Sequence, residues 1–131
     1  MKAIVGNPFR VQLSRRKGWR MPPNTVNVAR PGRYGNPHLI GDCTICGATH
    51  TRAEAVAEFR AMLDDDPMIR ARLREELAGK NLACWCRICD AQNNYCHCHA
   101  DVLLSLANDM SMEEVRHANL EAWQRAQITH R

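Results

Sequence analysis

The sequence predicts a small α/β domain, with α+β as the alternative, built on a short sheet of about three strands with four helices and stapled by zinc. Short segments of alternating apolar and polar residues predict the strands, and two capping boxes mark helix starts. The segment 81–100 holds five of the seven cysteines and two of the six histidines. Such a density of thiol and imidazole groups is typical of a metal site, with zinc as the first candidate.

The length of 131 residues suits one domain, so we expect a single zinc-binding domain over 1–131, with a C-terminal helix over 112–131 as an extension. No run approaches the roughly 20 apolar residues that span a bilayer, and the first residues lack the apolar stretch of a secretory signal. We therefore expect a cytoplasmic protein without a membrane partner. In that compartment the odd number of cysteines favours metal ligands over disulfides.

The strands are predicted in three places. Segments 9–14 and 25–30 alternate apolar and polar residues and lie on either side of a basic loop. Two prolines and two glycines in 31–37 exclude regular structure and predict a shaped loop. The apolar segment Leu82–Cys86 predicts a buried strand, although the order of the strands cannot be read from these patterns.

The helices carry clear start and stop signals. Thr51 and Glu54 form a capping box, and Pro67 suits the first turn of a second helix that Gly79 ends. The apolar segment 100–107 predicts a third helix. A second capping box at Ser111 opens a last helix to about residue 127, whose apolar positions do not form one clean stripe.

The cysteines predict metal binding in two groups. Cys84 and Cys86 lie at the end of the predicted strand, and Cys98 and His99 begin the following helix. These four side chains can therefore bind one ion. The remaining four cysteines could hold a second ion, which gives the metal ligands Cys84, Cys86, Cys98, His99 and Cys43, Cys46, Cys89, Cys96.

Three alternatives stay open for the metal ligands. One ion could be held by Cys43, Cys46 and two later cysteines, which would leave Cys84 or Cys98 as a free thiol. His97 is an equal substitute for Cys96. His99 could face a substrate instead of a metal, because adjacent ligands must point in different directions.

The charge is distributed unevenly along the chain. Residues 1–41 contain eight basic and no acidic side chains, whereas the other ninety contain ten basic and fourteen acidic ones. The N-terminal third is therefore suited to an anionic partner, for which phosphate is the commonest candidate. The alternative interpretation is a solvated basic surface.

Several motifs resemble an uncharacterised family of small bacterial and phage proteins. The similar segments include Tyr34-Gly-Asn-Pro37, the Cys-Trp-Cys motif at 84–86 and the Cys-His-Ala-Asp motif at 98–101, and together they cover most of residues 10–108. The resemblance implies that the four ligands of the first group belong together. The other four cysteines lie in apparent insertions, and the resemblance implies no established activity.

The first functional hypothesis is binding of nucleic acid or a nucleotide. Basic side chains would contact phosphates, aromatic rings would stack on bases, and the Gly-Asn-Pro loop would form an anion pocket. The candidate ligand-binding residues are Arg15, Arg16, Lys17, Trp19, Arg20, Arg30, Arg33, Tyr34, Gly35 and Asn36.

Catalysis is the second hypothesis, so whether the protein is an enzyme stays open. A metal with an open position could activate water for hydrolysis or deamination of a nucleobase or nucleotide, with His99 or Asp101 handling protons. A shell of thiolates weakens Lewis acidity, however, and a carboxylate in the first turn of a helix often serves the helix dipole. A third hypothesis is a phage accessory protein that inhibits a host protein.

Overall fold

The computed structural model describes residues 7–29, 34–35, 41–42 and 49–129. Within these ranges five strands and four helices are present. In chain order they are β1 (Arg10–Gln12), β2 (Thr25–Asn27), β3 (Gly41–Asp42), β4 (Thr49–His50), α1 (Arg52–Asp64), α2 (Pro67–Leu77), β5 (Asn81–Cys84), α3 (His99–Asn108) and α4 (Met112–Thr129).

A three-stranded parallel sheet organises the fold, with β5 between β1 and β2. Arg10 pairs with Leu82 on one side, and Val26 pairs with the same residue on the other side. Because all three strands run in one direction, they end at one edge of the sheet, which we call the carboxyl edge. The predicted α/β class, with about three strands and four helices, is confirmed.

Each of the first two helices is started by a side chain that satisfies free backbone N–H groups. The Thr51 hydroxyl accepts from Glu54 N, and the Glu54 carboxylate accepts from Thr51 N at 2.8 Å, as in the predicted capping box. Asp66 caps α2, whose first residue is Pro67. Gly79 follows the end of α2 with φ +77°, a left-handed conformation that glycine adopts without strain.

Helix α3 forms the centre of the core. Val102, Leu103 and Leu104 are all essentially inaccessible to solvent, so the helix is buried on nearly its whole circumference. It packs on β5 and β1 and also contacts the other three helices. Helix α4 contributes the buried residues Val115 and Ala118 to the same core.

The sequence did not predict the short antiparallel pair of β3 and β4, in which Gly41 pairs with His50. The predicted knuckle of Cys43 and Cys46 lies between these strands, outside the described residues. No helix in the described part of the chain is long and apolar enough to cross a membrane.

Candidate metal centre

Three potential ligands converge at the carboxyl edge. Cys84 is the last residue of β5, Cys98 is the N-cap of α3, and His99 is the first residue of that helix. One ligand atom from each lies within 4.8 Å of the others, and all three residues are buried. The Cys98 Sγ and His99 Nδ1 atoms are 3.5 Å apart. This cluster could hold a metal ion.

Cys86 lies beside this cluster. Its Sγ atom is 3.8 Å from the Sγ atom of Cys84, and Arg52 of α1 donates from Nη1 to Cys86 Sγ at 3.3 Å. Strand β5 ends at Cys84, a bend follows at residues 85–86, and the two thiols lie close together. The four residues of the first predicted group are therefore brought together.

A hydrogen bond on the far side of the ring fixes the orientation of His99. The Nε2 atom lies 2.7 Å from the carbonyl oxygen of Val28, just beyond the end of β2. Because a carbonyl can only accept, Nε2 carries a proton, and Nδ1 faces the thiols. Phe59 of α1 packs edge-to-face on the ring, with centroids 5.5 Å apart. A hydrogen bond from the other ring nitrogen to a carbonyl is the usual way in which proteins orient a metal-binding imidazole.

The thiols perturb one another strongly. Hydrogen bonds from Cys84 and Cys98, together with Arg52, lower the pKa of Cys86. The pKa of Cys84 is raised, first because it donates to Cys86. For Cys98, the hydrogen bond with Cys84 lowers the pKa, but that with Cys86 and burial raise it to about 12. A cation that binds here would displace the protons of these thiols, because thiolates are the metal ligands.

Arg10 of β1 holds the ligand-bearing loop in place. This loop, residues 85–98, joins β5 to α3 and is called the ligand loop below. The guanidinium donates to the carbonyl oxygens of Cys86 at 3.5 Å and Arg87 at 3.2 Å, and also to that of Cys96. Both ends of the ligand loop are therefore fixed to one buried side chain.

Asp101, a candidate catalytic residue, lies inside the same buried network and is 1% exposed. Its Oδ1 atom is 3.1 Å from Arg10 Nε in an ion pair, and Tyr95 donates to Oδ2 at 2.7 Å. Asn119 of α4 donates to Oδ1 at 3.0 Å. Burial raises the pKa of Asp101, and Arg10 opposes this shift. The carboxylate thus has three protein partners and almost no contact with solvent.

The cysteines Cys89 and Cys96 lie near each other at the base of a hairpin within the ligand loop. Cys89 pairs with Tyr95 in an isolated bridge, and Cys96 N donates to the carbonyl of Ile88 at 2.8 Å. Asp90 accepts two backbone hydrogen bonds within the turn. Because Cys43 and Cys46 fall outside the described residues, the second predicted metal group stays a prediction.

The basic loop, residues 15–20, follows β1 at the carboxyl edge. The side chains of Arg15, Arg16, Lys17 and Arg20 are exposed, whereas Trp19 is half-buried and packs against the core. The Cζ atom of Arg15 lies 4.6 Å from the centroid of the Trp85 ring. The basic loop therefore contacts the residue between Cys84 and Cys86.

The Gly-Asn-Pro loop is described only at Tyr34 and Gly35. The Tyr34 hydroxyl donates to Glu76 of α2 at 2.7 Å, and its ring packs against the core. Both residues line a cavity of about 250 Å³ whose other walls include Phe59 and Leu63. The remaining candidates Arg30, Arg33 and Asn36 lie outside the described residues.

The structure adds residues that the sequence did not single out. Arg10 lies in the acid-free segment but is 2% exposed, so it serves the core instead of an anionic partner. Arg52 and Trp85 contact the site, and Asn119 joins its support. One signal was available for Trp85, since a residue between two ligands on a strand end must project away from them.

The fold and the site define a small α/β protein with a cysteine–histidine cluster at the carboxyl edge of a parallel sheet. The chain belongs to the family described as Domain of unknown function (DUF4326), whose model matches residues 11–109. Membership of an uncharacterised family, as the sequence predicted, is confirmed. The match includes all four residues of the cluster and ends before α4. Comparison with curated proteins and with solved structures finds no significant match to this chain.

Proposed function

We propose that this protein is a zinc-stabilised binder of nucleic acid or of a nucleotide, which it contacts through the basic loop and the Gly-Asn-Pro loop. The observation that carries the proposal is the contact between Arg15 and Trp85. It joins an exposed, strongly basic loop to the turn that carries two metal ligands. A folded metal centre would thus support the surface that meets the anion.

Zinc is the proposed metal because the donor types and their separations suit it. In a tetrahedron with Zn–S bonds of about 2.3 Å and a Zn–N bond of about 2.0 Å, two sulfurs lie about 3.8 Å apart and sulfur and nitrogen about 3.5 Å apart. The Cys84–Cys86 sulfurs are 3.8 Å apart, and Cys98 Sγ is 3.5 Å from His99 Nδ1. Free thiols available for zinc also agree with the cytoplasmic location that we propose.

We propose a second zinc ion bound by Cys43, Cys46, Cys89 and Cys96. The proximity of Cys89 and Cys96 supports half of this site, since Cys89 lies at the start of the hairpin and Cys96 lies at its end. The ion would then anchor the ligand loop to the segment between β3 and β4.

Binding is better supported than catalysis. His99 has Nε2 bonded to the Val28 carbonyl and Nδ1 directed at the thiols, so neither nitrogen faces a substrate. Asp101 is buried and ion-paired with Arg10. A metal at this site would supply structural crosslinking and a fixed positive charge among the sulfurs.

The metal is tested by zinc analysis of protein purified without added chelator. We expect two zinc ions per chain, and one in the double variant Cys89→Ser/Cys96→Ser. The variant Cys84→Ser/Cys98→Ser should lose the other ion and unfold at a lower temperature. Protein that folds fully while binding no zinc would contradict the proposal.

Nucleic-acid binding is tested by fluorescence anisotropy with a labelled single-stranded oligonucleotide over a range of salt concentrations. Replacing Arg16 and Lys17 by alanine should weaken binding and reduce the slope of log K against log salt by about 1.4, since each phosphate contact contributes about 0.7. The matched control is Arg70→Ala/Lys80→Ala, which removes the same charge from exposed positions on α2 and immediately before β5. Equal effects of the two double variants would leave only a nonspecific charge effect and would contradict the assigned surface.

A further inference from the structure

We propose that Trp85 is the stacking platform for an unpaired nucleobase, and that the preferred ligand is consequently single-stranded nucleic acid. This inference rests on the proposed function and deepens it. It assigns the contact with the base to the ring of Trp85 instead of to the candidate rings of Trp19 and Tyr34.

Trp85 is the exposed aromatic residue of the chain. All tryptophans, tyrosines and phenylalanines lie in the described residues. Trp85 is the only exposed one among them, with 45% of its surface accessible to solvent. Trp19 and Tyr34 are half-buried against the core, and the Tyr34 hydroxyl is bonded to Glu76. A base can therefore reach the Trp85 ring without unfolding any packed segment.

The backbone of Trp85 is held on both sides. Cys84 before it ends the central strand, and its carbonyl accepts from Leu13 N at 2.8 Å. After it, the carbonyls of Cys86 and Arg87 accept from the buried Arg10 side chain. The two flanking cysteines are also proposed metal ligands. Because its backbone is held in this way, Trp85 loses little backbone conformational entropy when a base stacks on its ring.

The charges around the ring suit a nucleotide better than an apolar ligand. The Arg15 guanidinium lies over the Trp85 ring, with its Cζ atom 4.6 Å from the ring centroid. Arg16 and Lys17 follow on the same exposed loop. An aromatic ring beside a basic groove is the usual arrangement for binding single strands, because bases stack while phosphates contact the cations. Bases in a duplex are already stacked on both faces, so the duplex offers no free face.

The experiment compares three ligands with the zinc-loaded full chain: a labelled oligothymidylate, a duplex of the same length, and thymidine monophosphate as a competitor. We expect tighter binding of the single strand than of the duplex. Trp85→Leu should weaken single-strand binding about tenfold or more, whereas Trp85→Phe should retain most of it. Trp123→Leu, on α4, is the matched control and should bind as the wild type does. Competition by the monophosphate at comparable concentration would identify a free nucleotide as the ligand and overturn the preference for a single strand.

A second measurement does not depend on removing the ring. In the variant Trp19→Phe/Trp123→Phe, the remaining fluorescence comes from Trp85, and stacking should quench it as the strand is added. Absence of quenching while anisotropy reports binding would overturn the inference and leave the proposed function standing, as would equal binding by Trp85→Leu and the wild type. If neither strand, duplex nor nucleotide binds at low salt, the proposed function and the inference both fail.

Discussion

The guanidinium of Arg10 and the carboxylate of Asp101 form an ion pair at 3.1 Å, with both side chains at most 1% exposed. The pair joins the edge strand β1 to the first turn of α3. Burying two charges costs desolvation energy, which here is offset by the mutual attraction and by bonds to Tyr95, Asn119 and backbone carbonyls. The pair therefore connects the sheet, the ligand loop and α4.

Replacing Asp101 by alanine should destabilise the protein by about 3–5 kcal/mol, because the Arg10 charge would remain buried without its partner. The measurement is urea unfolding followed by circular dichroism. The control is Arg74→Ala, which breaks the ion pair of Arg74 with Asp109 at exposed positions and should cost less than about 1 kcal/mol. Losses of similar size in the two variants would contradict the role of the buried pair.

Asn119 should contribute strongly to stability although it lies outside the family match. Its Oδ1 atom accepts from Arg10 N at 2.6 Å, and its Nδ2 atom donates to the Tyr95 hydroxyl at 2.7 Å. Asn119→Ala leaves the buried Arg10 N–H unpaired, at about 1–3 kcal/mol, and also removes one hydrogen bond from the Tyr95 hydroxyl. Thermal unfolding should show the loss, whereas His117→Ala, at a side chain 81% exposed, should stay within about 0.5 kcal/mol of the wild type.

Arg52 should tune the affinity for the metal, because its Nη1 donates to Cys86 Sγ at 3.3 Å. Arg52→Ala should weaken zinc binding by about tenfold, as is usual when a hydrogen bond to a ligand is removed. Competition with a chromophoric chelator measures the change. Arg60→Ala, on the same helix and paired with Asp64, is the control, and an equal change in both variants would exclude a specific effect at Cys86.

Substitution of Gly79 should destabilise the protein because of its backbone conformation. Its φ is +77°, while a Cβ atom placed there would have no neighbour within 4 Å. Gly79→Ala should therefore cost about 1–2 kcal/mol through strain alone, and Gly79→Asn should cost less, because asparagine tolerates the left-handed region. A smaller loss for alanine than for asparagine in denaturant unfolding would refute this explanation.

Much of the local structure could be predicted from the sequence because its causes are local. The capping box at Thr51, Pro67 in the first turn of α2 and the glycine after it act within a few residues. The grouping of Cys84, Cys86, Cys98 and His99 also followed from the positions of a strand end and a helix start. By contrast, the β3–β4 pair depends on partners seven and nine residues apart in two very short strands, which leave no periodic pattern.

The sequence by itself determined which residues can bind a metal and where the helices begin, since side-chain chemistry and capping are properties of short segments. Only the tertiary structure decided that β5 lies between β1 and β2 and that Arg10 turns inward to Asp101 instead of outward. It also decided that the Val28 carbonyl orients His99 and that Trp85 meets Arg15. These relationships join residues that are 56 or more positions apart, or depend on which face a side chain takes, and packing of the whole chain fixes them.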